Sequence, residues 1–96
     1  MKISVAILIS GDGSNMVELV KSMDNEHPAF PSVVISNRKN AKGLLKAHDL
    51  GVPTKILDTK YLKNIGLEFE TELIKTLQEY NVKVICLAGF MKILSK

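Results

Sequence analysis

The sequence has no tryptophan, one cysteine and only three Phe and two Tyr. A single cysteine, Cys86, excludes an internal disulfide framework and favours a reducing compartment. Few aromatics, and basic residues that are scattered (Lys21, Arg38, Lys39, Lys42, Lys46, Lys60, Lys63), argue against a nucleic-acid partner. Such binding calls for a dense basic patch with aromatics interleaved. Charge of one sign is also in short supply: thirteen Lys and Arg against ten Asp and Glu leave a formal +3. That mild excess suits a small phosphorylated ligand. Long apolar runs are missing too. Val5 to Ile9 is a run of five, against the roughly 18 residues of a membrane span. Gly11-Asp12-Gly13 ends it with no small-residue cleavage pattern, so it reads as a buried strand and not as a signal peptide. The expectation is a soluble, cytoplasmic protein with no membrane partner.

What is present can build a core. Ninety-six residues, 46% hydrophobic and 24% charged, make one domain or part of one. Ile3 to Ile9 is nearly all apolar and rich in β-branched residues, the mark of a strand covered on both faces. Met16, Leu19, Val20 and Met23 then fall on one helical face, with Ser14 or Asn15 placed to cap it. His27 to Pro31 reads as a loop and Ser32 to Asn37 as a second strand. Ala41, Leu44, Leu45 and His48 mark a second helix, which Gly51 ends. Pro53 to Leu57 is a short third strand, and Asp58 to Asn64 a connector. Leu67, Phe69, Leu73, Ile74, Leu77 and Tyr80 outline a longer helix, with Glu68, Glu70, Glu72, Lys75 and Gln78 on its solvated face. Val82 to Ala88 is a fourth strand. No repeat, low-complexity stretch or linker interrupts the series.

Alternating strands and helices predict an α/β fold, a doubly wound parallel sheet of strand order 3-2-1-4. Ligands of such sheets bind at the carboxyl ends of the strands, where the winding reverses. Two segments converge there: Gly11 to Asn15 after the first strand, and Gly89 to Leu94 after the fourth.

A glycine-rich turn running into a helix offers backbone N–H groups and a positive dipole end to an anion. The plain alternative is a tight turn that binds nothing; its place at the first crossover favours the anion. A P-loop is excluded, since Ser14-Asn15-Met16 follows Gly13 where a Lys is required. A dinucleotide fingerprint fits poorly: Met16 replaces the third small residue, and the second strand ends in Ser36-Asn37-Arg38 without a carboxylate. Arg38 keeps a 2′-phosphate contact open. A phosphomonoester site built from the loop and the helix terminus fits best.

Three segments carry a resemblance: Ser10-Gly11-Asp12-Gly13-Ser14-Asn15, Ser36-Asn37, and Ala88-Gly89-Phe90-Met91-Lys92-Ile93-Leu94. Together, and across all 96 residues, the sequence resembles the N-terminal half of the phosphoribosylglycinamide formyltransferases (glycinamide ribonucleotide transformylases) of purine biosynthesis. The resemblance implies a Rossmann-like fold. It also implies transfer of a formyl group from 10-formyltetrahydrofolate, a co-substrate, to 5′-phosphoribosylglycinamide, with no metal. Gly13, Ser14 and Asn15 would hold the substrate phosphate, with Asp12 shaping the turn. Met91, Lys92, Ile93 and Leu94 would line the folate pocket. Many members open the third helix with an Arg-Glu pair, the Arg near the folate; the matching stretch here is Ile65-Gly66-Leu67-Glu68, with no Arg at Gly66, so no folate contact is carried there.

The family's catalytic Asn and His lie in an N-I-H-P-S segment after the A-G-F-M motif, and a catalytic Asp later still. Residues 1–96 end before them, as the N-terminal part of a formyltransferase domain. No catalytic residue is assigned, and this stretch alone is expected to be inactive. His27 reads as surface. His48 reads as packing or a surface edge, Cys86 as core, and Glu68, Glu70 and Glu72 as a solvated face. Two other readings stay open: a formyltetrahydrofolate hydrolase of the same superfamily, and a non-catalytic phosphate- or nucleotide-binding module. The free flank of the fourth strand adds the expectation of self-association.

Overall fold

The computed structural model describes residues 2–89. Its elements run β1 (Ile3–Ile9), α1 (Ser14–Ser22), β2 (Ala29–Ser36), α2 (Lys42–Asp49), β3 (Thr54–Ile56), α3 (Thr59–Asn64), α4 (Phe69–Glu79) and β4 (Val84–Leu87). The strands form one parallel sheet in the order β3-β2-β1-β4. The doubly wound topology expected from the residue pattern is therefore the one observed.

Side chains alternate across a strand, so β1 feeds two cores. Val5, Ile7 and Ile9 point to one face and pack with Met16 of α1, Val34, Ala47 of α2 and Val52. Ala6 and Leu8 point to the other and pack with Val33, Ile35, Leu57, Leu62 of α3, and Phe69 and Leu73 of α4. Helices α1 and α2 thus cover one face, and α3 and α4 the opposite one. The switch of face falls between β3 and β4, where the order jumps across β1.

Several boundaries differ from the sequence reading. β2 begins at Ala29, so Phe30 and Pro31 are in the strand. The register shifts after Val5: Val5 faces Pro31 while Ala6 faces Val33, which leaves Ser32 as the extra residue of a bulge. The Ser32 hydroxyl donates to the Val5 carbonyl at 3.1 Å. Pro31 is tolerated because β3 pairs β2 only from Val34 onward, so the missing N–H interrupts no ladder on that side. His27, expected at the surface, is half-buried, and its Nδ1 accepts the Ala29 N–H at 3.0 Å as the strand starts. The connector from Asp58 to Asn64 contains a helix, α3, which Asp58 caps by accepting the Tyr61 N–H at 3.2 Å.

In α2 the buried face consists of Gly43 and Ala47, while Leu45 is 67% exposed and His48 lies at the surface. On α4, Ile74 is exposed, and Glu72 pairs with Lys75 at 3.4 Å. Gly51 does follow α2 with φ +79 and donates to the His48 carbonyl.

Candidate anion site at the glycine loop

A buried serine follows β1. The Ser10 hydroxyl donates to Asn37 Oδ1 at 2.8 Å, joining the exits of β1 and β2 beneath the loop. Gly11 and Asp12 then turn outward, exposed. Asp12 Oδ1 accepts the Ser14 N–H at 3.1 Å, a side-chain turn that folds the loop onto the start of α1. Gly13 has φ 80 and ψ 18, a left-handed conformation that glycine adopts without a Cβ penalty. Its carbonyl accepts the Val17 N–H at 2.9 Å, the first bond of the helix.

The cap differs from the expected one. Gly13 is the N-cap residue, and neither Ser14 nor Asn15 caps the helix with its side chain. Both lie on the first turn with their side chains exposed, while Met16 is fully buried. The first N–H groups of a helix have no intrahelical acceptors. Asp12 takes that of Ser14, and among the described residues no side-chain cap bonds the N-terminus of α1. The loop therefore presents amide donors and the Asn15 side chain at a positive dipole end, while the Ser14 hydroxyl is turned to Asp12.

Asp12 is the one carboxylate in the loop. Hydrogen bonds from the Ser14 backbone and then its side chain hold its pKa below the usual 3.8, with smaller help from Lys46 and Lys42 across the groove. Those two lysines lie one turn apart on α2, and sequence reasoning assigned them no role. It also missed Gly43, whose N–H donates to the Gly11 carbonyl at 3.1 Å. The available signal was a glycine inside a helical pattern, which costs stability unless something needs the space.

The second expected segment begins at the end of β4, which pairs with β1 so that the Ala88 N–H donates to the Leu8 carbonyl at 2.9 Å. Asn15 and Ala88 line one open cavity of about 470 Å³, together with Glu18, Leu19, Ser22 and Leu87. Met91, Lys92, Ile93 and Leu94 lie outside the described residues. Arg38 is exposed on a separate polar cavity of about 480 Å³, lined also by Asn37, Lys39, Asn40, Asp58, Thr59 and Lys60. Among the described residues no three His, Cys, Asp or Glu are grouped to hold a metal, and no helix is long and apolar enough to cross a membrane. Cys86 is half-buried on β4 against the α1 side of the core.

Residues 2–96 match the family described as Formyl transferase. The chain belongs to that family. It is 42% identical over 95 residues to the human "Trifunctional purine biosynthetic protein adenosine-3", covering 98% of this chain and 9% of the relative. It is 36% identical to the "Phosphoribosylglycinamide formyltransferase" of Haemophilus influenzae, covering 95% of this chain and 43% of that one. Among solved structures, the phosphoribosylglycinamide formyltransferase from Anaplasma phagocytophilum superposes with a TM-score of 0.86 at 40% identity, over 100% of this chain and 44% of its own. That from Brucella melitensis gives 0.89 at 34%, over 99% and 50%. This formyl transferase chain thus spans about half the length of the single-function relatives it matches, and far less of the trifunctional one.

Proposed function

We propose that residues 1–96 form the binding half of a phosphoribosylglycinamide formyltransferase. In this reading the chain takes part in moving a formyl group from 10-formyltetrahydrofolate to the amine of 5′-phosphoribosylglycinamide, in purine biosynthesis. Gly13, Ser14 and Asn15 hold the substrate's phosphate. Asp12 shapes the loop by occupying the Ser14 N–H, which leaves the outward donors for the anion. Met91, Lys92, Ile93 and Leu94 contribute backbone bonds and an apolar wall to the folate, which supplies the formyl group. The observation that carries the reading is the cavity shared by Asn15 and Ala88. It sets Asn15, on the first turn of α1, beside Leu87 and Ala88, the two residues that precede the Gly89 to Leu94 segment.

The chemistry assigns this stretch binding and not transfer. Formyl transfer passes through a tetrahedral intermediate whose oxyanion needs fixed donors, and the attacking amine must lose a proton to a positioned base. No residue of this chain is assigned either role. Titrating the chain with 5′-phosphoribosylglycinamide while following amide resonances tests the binding half; shifts concentrated at Gly13, Ser14 and Asn15 are expected, and their absence at millimolar ligand overturns it. A formylation assay on the 96-residue chain alone tests the other half. Turnover there would show that this stretch carries its own catalytic groups.

The reading also places association at β4. One side of β4 pairs with β1, and Val84, Ile85 and Leu87 are exposed on it. The 96-residue chain by itself associates with a second copy along that strand.

A further inference from the structure

The first turn of α2 lies directly against the glycine loop, backbone on backbone. A Cβ placed on Gly43 would stand 2.9 Å from Gly13 Cα, 3.2 Å from Gly13 N and 2.5 Å from Ile9 Cδ1. A Cβ placed on Gly13 would stand 2.7 Å from Gly43 Cα. Real Cβ atoms do not approach that closely, so one of the neighbours has to move. The Ile9 methyl is the tip of a side chain and can rotate away. The Gly13 backbone cannot move without changing the left-handed turn that starts α1. A hydrogen bond of 3.1 Å from the Gly43 N–H to the Gly11 carbonyl ties the same two segments on the other side of Gly13.

Glycine inside a helix is ordinarily a liability relative to alanine. Gly43 is 8-residue α2's second residue and one of its two buried ones. Its presence follows from the space: only a residue without a Cβ lets the two backbones touch. We infer that Gly43 is a positioning residue for the anion site, fixing the loop from Gly11 to Asn15 through backbone contact and the bond to Gly11. It touches no ligand. Its effect on phosphate affinity rests on the phosphate reading above; its effect on the shape of the loop does not.

The test uses the full chain and inorganic phosphate as probe, with amide resonances as readout. In Gly43→Ala, the resonances of Gly11, Gly13 and Ser14 shift before any ligand is added. Phosphate affinity falls about tenfold, the equivalent of losing roughly one charge-assisted hydrogen bond to the anion. Adding Ile9→Val removes the Cδ1 atom that meets the new methyl. The double variant regains thermal stability but not affinity, because the clash with Gly13 remains. Ala47→Gly, one turn further along the same buried face, lowers the melting temperature yet leaves affinity within about twofold. In the unsubstituted chain, phosphate slows hydrogen exchange at the Gly43 amide, a readout that needs no variant to fold.

An unchanged loop in Gly43→Ala overturns the inference, as does affinity restored by Ile9→Val or lost equally in Ala47→Gly. Exchange at Gly43 that ignores a bound phosphate overturns it as well. If the unsubstituted chain binds no phosphate while the loop of Gly43→Ala shifts, the positioning role stands and the phosphate reading falls.

Discussion

Ser10 and Asn37 meet at 2.8 Å, hydroxyl to amide oxygen, with both side chains buried under the glycine loop. The bond joins the last residue before the loop to the first residue after β2. Ser10→Ala removes the donor and leaves Asn37 Oδ1 in a buried place without it. A buried group deprived of its partner costs about 1–3 kcal/mol. Urea denaturation of the variant is expected to show a loss in that range at an unchanged slope. A loss near zero means that water replaces the hydroxyl.

Two leucines separate burial from hydrophobicity. Leu8 on β1 is fully buried between α3 and α4, whereas Leu45 on α2 is 67% exposed. Leu8→Ala is expected to cost about 2–5 kcal/mol, through lost transfer energy and the cavity it leaves. Leu45→Ala is expected to stay within about 0.5 kcal/mol, since it deletes an exposed side chain in favour of a better helix former. Thermal melts of the two variants check this. Equal losses contradict the observed facing of α2.

That pair also shows where the sequence is legible. β1 could be read because its covered faces demand an unbroken apolar run, and the strand order followed from the alternation of elements. α2 was found, but its facing was misread: its buried residues are Gly43 and Ala47, too small to register as an apolar stripe. Leu45 and His48 supplied a false one. α3 is six residues long with Leu62 as its buried residue, too short for periodicity, and Asp58 was its one signal. The loop's glycines were legible as a tight turn into the first helix. The contact of Gly13 with Gly43 was not, because the two lie thirty positions apart in sequence and a missing side chain leaves no pattern.

Asp12 separates shape from charge at the loop. Its carboxylate accepts the Ser14 N–H, and its pKa lies below the usual 3.8. A carboxylate lowered on folding contributes fully above its ordinary value and loses that contribution as pH falls through the lowered one. The turn is therefore expected to hold throughout the neutral range and to weaken in acid, as the pH falls through a pKa below 3.8. Asp12→Asn keeps an oxygen acceptor for Ser14 and removes a negative charge from the loop proposed to hold the phosphate. Its phosphate affinity is expected to equal or exceed that of the unsubstituted chain. Asp12→Ala loses the acceptor, and its affinity is expected to fall several-fold, to about the extent that one hydrogen bond stabilises. Isothermal titration of both variants with inorganic phosphate at pH 7 decides between these roles. Equal weakening in both would show that the charge itself, and not the acceptor, maintains the loop.

The edge at β4 gives the last test. Among the described residues, in the sheet order β3-β2-β1-β4, this strand has one partner, and its apolar residues are open: Leu87 is 59% exposed, Val84 45% and Ile85 44%. The opposite edge, β3, is only three residues long, follows Pro53 and carries Lys55, features that discourage edge pairing. Two copies meeting through β4 about a twofold axis perpendicular to the strand would pair antiparallel, since such an axis reverses strand direction. Light scattering coupled to gel filtration is expected to show mass rising with concentration for the 96-residue chain. Leu87→Lys places a charge on the edge and is expected to return the chain to monomer. Lys55→Leu on the other edge should not raise association to the same degree, because that strand offers too few residues to pair. A chain that stays monomeric across the concentration range, with Leu87→Lys indistinguishable from it, rules out association through β4.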